Sequence, residues 1–207
     1  MVLKLDQLVR DIRACQICVQ RPQGLPLPHE PRPVLQVSAQ ARLVICGQAP
    51  GTKVHASGRP FTDRSGDRLR AWTGLSSAVF YDPLKVAIVP MGFCFPGQTA
   101  KGADLPPRRE CVQAWHDQLM PLLTNVQLVL VVGRYAMAYH MKPLKSQTLS
   151  AVVADYERYL KVDDVPCLLP LPHPSWRNTH WLKKNPWFER DYVPILQQKV
   201  ASVLEGV

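Results

Sequence analysis

Residues 43–69 read LVICGQAPGTKVHASGRPFTDRSGDRL and carry the local signals that decide the fold. The four apolar residues 43–46 predict a short buried strand. The turn at 47–51 has two glycines and a proline, which reverse the chain sharply and let the backbone approach a ligand closely. Phe61 then supplies an aromatic ring, and Asp63 stands where a helix N-terminus is expected. This order predicts a pocket at the carboxyl end of a parallel strand.

Further apolar runs alternate with helical patterns along the chain. The additional predicted strands are 86–89, 128–132 and 167–171. The predicted helices are 1–15, 67–73, a helix that opens at Pro106-Pro107, 134–140, and 187–204. Pro194 is expected to interrupt or kink the last of them. Because strands alternate with helices, we expect a single α/β domain over residues 1–207, with a parallel sheet layered by helices.

The composition suits a globular protein with a basic surface. Of the 207 residues, 46% are hydrophobic, and the formal net charge is +9. A basic surface favours a polyanion, most commonly nucleic acid, through the release of counterions. Many basic proteins bind no DNA, so a basic protein without a nucleic-acid partner is the alternative. No apolar stretch is long enough to span a membrane and the first residues lack a signal-peptide pattern, so we expect a monomeric cytoplasmic protein without a membrane partner.

The six cysteines divide into two groups. In a cytoplasmic protein they are expected to be thiols or metal ligands rather than disulfides. Paired thiolates two residues apart can ligate zinc or an iron–sulfur cluster, although a lone CxxC is a weak signal and coincidence is the alternative. The candidate ligands are Cys15, Cys18, Cys94 and Cys111. Two cysteines lie inside apolar strand runs and are predicted to be core residues: Cys46 and Cys167.

The segment LPHPSWRN at 171–178 follows a predicted strand. Two prolines hold His173 at the end of that strand, where its ring can donate to a substrate oxygen. The alternative is a loop histidine that only caps backbone groups. Aromatic and cationic residues alternate nearby, a mixture that favours phosphate contacts plus base stacking, or else forms a solvated face. These residues are Trp176, Arg177, His180, Trp181, Lys183 and Lys184.

Together these motifs resemble the uracil-DNA glycosylase superfamily, most of all its iron–sulfur-containing branches, families four and five. The turn at 47–51 is similar to the Gly-x-Ala-Pro-Gly motif, and residues 173–178 are similar to the His-Pro-Ser loop that ends in Asn. Residues 58–67, GRPFTDRSGD, resemble the corresponding segment of family five. The four candidate ligand cysteines match the cluster cysteines in order and approximate spacing. The resemblance covers most of the chain.

The resemblance implies a three-layer α/β/α sandwich with a short, mostly parallel central sheet. It also implies an enzyme of DNA base-excision repair that hydrolyses the N-glycosidic bond of a flipped-out uracil or related deaminated base. In such an enzyme His173 donates to the uracil O2, Phe61 stacks on the base, and backbone groups around Gln48 and Ala49 bind the base or the water. The cofactor would be a structural iron–sulfur cluster, expected to be 4Fe-4S, with zinc as the alternative.

The resemblance assigns a role to each matching position. The implied catalytic residues are His173 and Asp63. The implied base-binding residues are Gly47, Gln48, Ala49, Pro50, Gly51, Phe61 and Asn178. The implied DNA-binding residues are Pro174, Ser175, Trp176, Arg177, Lys183 and Lys184. The implied metal ligands are Cys15, Cys18, Cys94 and Cys111.

Three positions depart from the pattern of the superfamily. Ala49 lacks the acid or amide that positions water in many members. Family five also has alanine there, and its candidate acid lies in the segment matched by Asp63, so the resemblance implies Asp63 for that role, with helix capping as the alternative. Pro90 lacks the side-chain amide that reads uracil, and Gly51 stands where a bulky residue excludes thymine. Ala49 and Pro90 favour the alternative of a non-catalytic nucleic-acid-binding member, whereas Gly51 predicts a pocket that accepts larger or different bases. A hydrolase using Ser175 or a cysteine is a third hypothesis, which no nucleophile-elbow motif supports.

Overall fold

The computed structural model describes residues 2–161 and 165–205. Within these residues four strands form one parallel sheet in the order β2-β1-β3-β4. The strands are β1 Leu43–Cys46, β2 Val86–Ile88, β3 Leu128–Val132 and β4 Cys167–Leu171. The predicted parallel sheet is confirmed, and each strand lies within one residue of its expected bounds.

Helices precede the first strand, occupy the connections between the strands and follow the last strand. They are α1 Val2–Arg13, α2 Ile17–Gln20, α3 Thr52–Ser57, α4 Arg64–Thr73, α5 Ser77–Phe80, α6 Arg109–Cys111, α7 Asp117–Leu119, α8 Gly133–His140, α9 Leu149–Ala154, α10 Tyr156–Leu160, α11 Thr179–Lys184 and α12 Val193–Glu205. A π turn, Val112–His116, joins α6 to α7, and a second, Phe188–Tyr192, precedes α12. No helix of the described residues is both long and apolar enough to cross a membrane.

The side chains of each strand alternate between two apolar cores, one on each face of the sheet. In β1, Leu43 and Ile45 enter the first core, whereas Val44 and Cys46 enter the second. Helices α4, α5, α10, α11 and α12 cover the first core. Helices α1, α6, α7 and α8 cover the second, and α9 contributes to both. This arrangement confirms the three-layer α/β/α sandwich.

Helix α4 departs from its predicted start, whereas the last helix is interrupted next to Pro194 as predicted. Helix α4 begins at Arg64, three residues before the expected start, because Asp63 caps it. The last helix is interrupted before Pro194, where the π turn gives way to α12 at Val193. Proline is tolerated there because the backbone N–H groups of a helix's first turn have no acceptor within that helix. The N–H that proline lacks would therefore make no helical hydrogen bond. Helix α3 was not predicted.

The strand order places a topological switch point between β1 and β3. From β1 the chain passes to β2 on one side, and it then crosses to β3 on the other side of β1. The connections that leave β1 and β3 therefore diverge and open a crevice at the carboxyl ends of these two strands. Ligands of open α/β sheets bind in such a crevice.

Candidate functional site

A cavity of about 540 Å³ opens at this end of the sheet. Its size lies within the roughly 300–1,000 Å³ typical of ligand sites. Every residue predicted to bind the base lines it: Gly47, Gln48, Ala49, Pro50, Gly51, Phe61 and Asn178. Both predicted catalytic residues line it as well: Asp63 and His173. The structure therefore brings together residues that lie more than a hundred positions apart in sequence.

The turn after β1 forms one wall of the cavity, and the aromatic ring of Phe61 lies against it. A Cβ atom placed on Gly47 would stand 3.3 Å from Cζ of Phe61. The carbonyl oxygens of Gly47 and Gln48 accept hydrogen bonds from the backbone of Met91 and Gly92, both at 2.9 Å. Glycine at position 47 thus lets the ring pack directly on the backbone, and the turn is fixed to the segment that follows β2.

Phe61 is held in an uncommon backbone conformation. Its φ is 52°, in the left-handed region that non-glycine residues rarely adopt. The carbonyl oxygen of Phe61 accepts hydrogen bonds from the Tyr81 hydroxyl at 3.0 Å and from Arg70 at 3.4 Å. A Cβ atom on Gly66 would stand 1.8 Å from that oxygen, so only glycine fits there. Surrounding contacts therefore force the strained residue into place, as is common at ligand sites.

Asp63 combines a structural role with a place in the cavity. It is the N-cap of α4, and its Oδ1 accepts a hydrogen bond from the Gly66 amide at 3.2 Å. The residue is partly buried and also lines the cavity. Capping is therefore part of its role, and its predicted catalytic role is open to test.

The hydrogen bonds of His173 indicate its tautomer. The backbone N–H of Ser175 donates to Nδ1 of His173 at 3.3 Å, so Nδ1 is the acceptor nitrogen and Nε2 carries the proton. Burial lowers the pKa of His173, while the carboxylates of Asp63 and Asp104 oppose that shift. The net lowering of the pKa keeps the ring neutral at neutral pH, with an Nε2–H donor.

Several contacts fix the loop that carries His173. The side-chain amide of Asn178 donates to the His173 carbonyl oxygen at 2.7 Å, and Arg68 donates to the Ser175 carbonyl oxygen at 3.0 Å. Gly133, at the start of α8, has a φ of 83°, and a Cβ there would contact the His173 side chain at 3.5 Å. Asn178 lines the cavity, but its amide nitrogen is engaged in holding the loop of His173.

The predicted DNA-binding residues occupy different places. Ser175, Trp176 and Arg177 line the cavity, and Trp176 is 72% exposed at its mouth. Pro174 is buried, whereas Lys183 and Lys184 are exposed on α11 and do not line the cavity. Three of the six predicted DNA-binding residues therefore line the cavity.

One part of the cavity wall was missed at the level of sequence. Residues 97–105 fold back as a hairpin, which contributes Gln98, Gly102 and Asp104 to the lining. The sequence signal was a glycine at each end of a polar segment, which indicates a turn but does not say where the turn packs. Seven further lining residues were not predicted as site residues: Val34, Val54, Pro60, Ser65, Ile88, Pro90 and Tyr135.

A second cavity contains all four predicted ligand cysteines: Cys15, Cys18, Cys94 and Cys111. Apolar residues close much of it, including Ile12, Phe93 and Trp115. Within the described ranges, no three His, Cys, Asp or Glu side chains converge closely enough to bind a single metal ion. Four cysteine thiols are also the donor set of an iron–sulfur cluster, in which each sulfur binds a different iron.

The burial of these thiols indicates that a bound group must supply positive charge. Burial raises the pKa of the Cys94 thiol to about 12 and also raises the pKa of Cys111 and Cys18. The Phe93 amide donates to Sγ of Cys111 at 3.3 Å. Thiolates are the ligating form, so a positively charged metal group must offset the cost of burying them. The other two cysteines are core residues, as predicted: Cys46 and Cys167.

Comparison with protein families agrees with this geometry. A family model described as the uracil DNA glycosylase superfamily matches residues 35–197. The matched segment includes the whole parallel sheet and every residue that lines the larger cavity except Val34.

Proposed function

Because the chain belongs to the uracil DNA glycosylase superfamily, we propose that it is a DNA glycosylase. Its substrate would be a deaminated base, uracil or a related base, flipped out of the DNA into the cavity. The reaction is hydrolysis of the N-glycosidic bond that joins the base to the sugar. The observation that carries this proposal is the neutral His173, whose Nε2–H donor belongs to a residue lining the cavity.

The chemistry gives His173 its role. When the glycosidic bond breaks, its electron pair leaves with the base, so negative charge develops on the base and positive charge on the sugar. A neutral imidazole that donates from Nε2 stabilises a carbonyl oxygen of the departing base as that oxygen gains charge. One such preorganised donor typically contributes about 100- to 1,000-fold in rate.

Phe61 and the turn at 47–51 provide a surface for the base. The ring of Phe61 packs on Gly47, so the ring and the turn together form a continuous wall. A flipped base is commonly held by stacking on an aromatic ring and by hydrogen bonds to its edge. We assign stacking to Phe61 and assign hydrogen bonding to backbone groups around Gln48 and Ala49.

Asp63 is the candidate for orienting the attacking water. It lines the cavity, and its carboxylate acts on His173, as the opposing effect on the pKa of that histidine indicates. Ala49 lines the same cavity with no polar side-chain atom to contribute.

DNA would bind across the mouth of the cavity. Trp176 is exposed there, and the Arg177 guanidinium lies 5.7 Å from the centre of its indole ring. The formal charge of +9 favours the phosphate backbone, and Lys183 and Lys184 would extend the cationic surface. Pro174 and Ser175 would hold the loop that faces the DNA.

The four-cysteine cavity would hold an iron–sulfur cluster, expected to be 4Fe-4S, or zinc as the alternative. The four thiols and the N–H donor to Cys111 fit such a group. When bound, the group would crosslink the N-terminal segment to the loop after β2, so its role would be structural. No step of the proposed hydrolysis passes through it.

A base-release assay tests the proposed function. Purified protein is incubated with DNA containing a single uracil or hypoxanthine, and with matched undamaged DNA, and free base is quantified. We expect release from one of the damaged substrates and none from the undamaged control. Tight DNA binding without release from either substrate would favour the non-catalytic alternative, which Ala49 and Pro90 support.

A further inference from the structure

The hairpin at 97–105 brings a second carboxylate into the cavity wall. The amide of Thr99 donates to the Ala103 carbonyl oxygen at 2.8 Å, and the amide of Leu105 donates to that of Gly97 at 2.9 Å. Arg177 donates to the Gly102 carbonyl oxygen at 3.1 Å and so joins the hairpin to the loop of His173. The hairpin is therefore an ordered wall with its own internal hydrogen bonds.

Asp104 stands on this wall in a defined position. Its Oδ1 accepts a hydrogen bond from the Gln98 side chain at 2.9 Å. Its Oδ2 lies 3.6 Å from the position that a Cβ atom on Gly51 would occupy. The carboxylate also opposes the lowering of the His173 pKa, so its charge reaches that ring. One oxygen is thus fixed by an amide, while the other faces the turn after β1.

The residues that line the cavity differ in burial between its base and its mouth. Gly47, Ile88 and Pro90 are buried at its base. Gln98 and Asp104, by contrast, are exposed at its mouth. A nucleotide flipped from a duplex enters with its base first, and its sugar remains near the mouth because the sugar is bonded to the DNA backbone. A carboxylate at the mouth therefore lies at the depth of the sugar, where positive charge develops.

We propose that Asp104 is a second catalytic carboxylate, which faces the sugar of the flipped nucleotide. This inference rests on the proposed glycosylase activity and adds a residue to it. As the C–N bond breaks, the electron pair leaves with the base, and the Asp104 carboxylate stabilises the sugar cation. The oxygen of a water molecule then bonds to C1′, and one proton of that water passes to the Asp104 carboxylate. The base departs as an anion, which the Nε2–H of His173 stabilises.

The roles of the two carboxylates are distinct. Asp63 is partly buried and caps α4, whereas Asp104 is exposed and has an amide partner on its own hairpin. Asp63 would orient the water from the helix terminus. Asp104 would supply negative charge at the sugar and receive the proton.

Single-turnover base release by Asp104→Asn tests the inference, with Asp6→Asn as the charge-matched control. Asn keeps an oxygen that can accept from Gln98 but removes the negative charge. Asp6 is exposed on α1 and does not line the cavity. We expect Asp104→Asn to slow base release by about 100-fold, as for loss of a general base, with unchanged DNA affinity. Asp6→Asn should act at the wild-type rate.

Asp104→Ala provides a second measurement, because added formate can replace a missing carboxylate. We expect formate to raise the rate of Asp104→Ala and to leave Asp104→Asn unchanged. A wild-type rate in Asp104→Asn, a loss explained by weaker DNA binding, or an Asp104→Ala rate that formate does not raise would each overturn the assignment. Absence of base release by the wild-type protein would instead contradict the proposed function itself.

Discussion

The two cavities differ in almost every physical respect. The one that we propose binds the base is called the base cavity, and the one that contains the four cysteines is called the cysteine cavity. The base cavity is open at the carboxyl ends of the strands and is lined by carboxylates, amides and a neutral histidine. The cysteine cavity is lined by four thiols and apolar side chains. The first arrangement suits a polar ligand that enters and leaves, and the second suits a group that stays. Our proposal therefore assigns chemistry to the first cavity and structural support to the second.

One segment of chain nevertheless serves both cavities. After β2 it lines the base cavity at Pro90, reaches the cysteine cavity at Cys94, and returns to the base cavity at Gln98 and Asp104. It then reaches the cysteine cavity again at Cys111. The hairpin that carries Asp104 is thus flanked on both sides by cysteines of the second cavity. A group bound to those cysteines would hold the wall of the base cavity in place.

The largest expected effect comes from replacing the two cysteines that flank the hairpin. The double variant Cys94→Ser and Cys111→Ser should lose all bound iron, or all zinc if zinc is the metal, because serine is a poor ligand for either. Metal analysis of purified protein measures this effect, with Cys167→Ala as a control that should retain the metal. Equal metal content in the double variant and the wild type would contradict the proposal that the cysteine cavity holds a metal group.

Gly66→Ala should produce the next largest effect, by disturbing the wall of the base cavity. The added methyl group would collide with the Phe61 carbonyl oxygen at 1.8 Å, so the backbone of Phe61 or α4 must shift. We expect a loss of about 3 kcal/mol in the free energy of unfolding, measured by urea denaturation. No described atom lies within 4 Å of a Cβ on Gly24, so Gly24→Ala should be nearly neutral. Equal stabilities of the two variants would contradict the packing of Phe61.

Asp63→Asn separates capping from catalysis. Asparagine caps helices as well as aspartate does, so the free energy of unfolding should stay within a few tenths of a kcal/mol. Base release should fall by about 100-fold, or about 2.7 kcal/mol in activation free energy, if the carboxylate orients the water. Single-turnover kinetics and urea denaturation measure the two effects. An unchanged rate would leave Asp63 with its capping role alone.

The smallest expected effect is that of Asn178→Ala. This substitution removes the 2.7 Å hydrogen bond to the His173 carbonyl oxygen and should cost about 1 kcal/mol in the free energy of unfolding. Because the amide positions the loop of His173, the rate of base release should fall while metal content is unchanged. A loss of metal in this variant would show that the two cavities are coupled more closely than their contacts indicate.

The parts of the structure that the sequence predicts are those with local physical causes. Strands such as Leu128–Val132 are buried on both faces, so they are continuous apolar runs whose ends are visible in the sequence. The Gly74 cap and the Asp63 cap define α4 through local chemistry. The meeting of the turn at 47–51 with His173 follows from the parallel sheet, because carboxyl ends of parallel strands share one edge.

The parts that escaped prediction depend on contacts between distant residues or on weak local signals. The hairpin at 97–105 is joined to the His173 loop through Arg177 and Gly102, a contact that no local pattern contains. Helix α3 has six residues and buries only Val54 among them, too few for a helical periodicity.

Single-turnover base release by His173→Ala tests the central assignment most directly. The variant and the wild type are compared on the same damaged DNA, and the affinity for that DNA is measured in parallel. We expect the rate to fall by about 100- to 1,000-fold, with nearly unchanged affinity, because the Nε2–H acts on charge that develops only as the bond breaks. Base release by His173→Ala at the wild-type rate would contradict the assignment of the base cavity as the site of this chemistry.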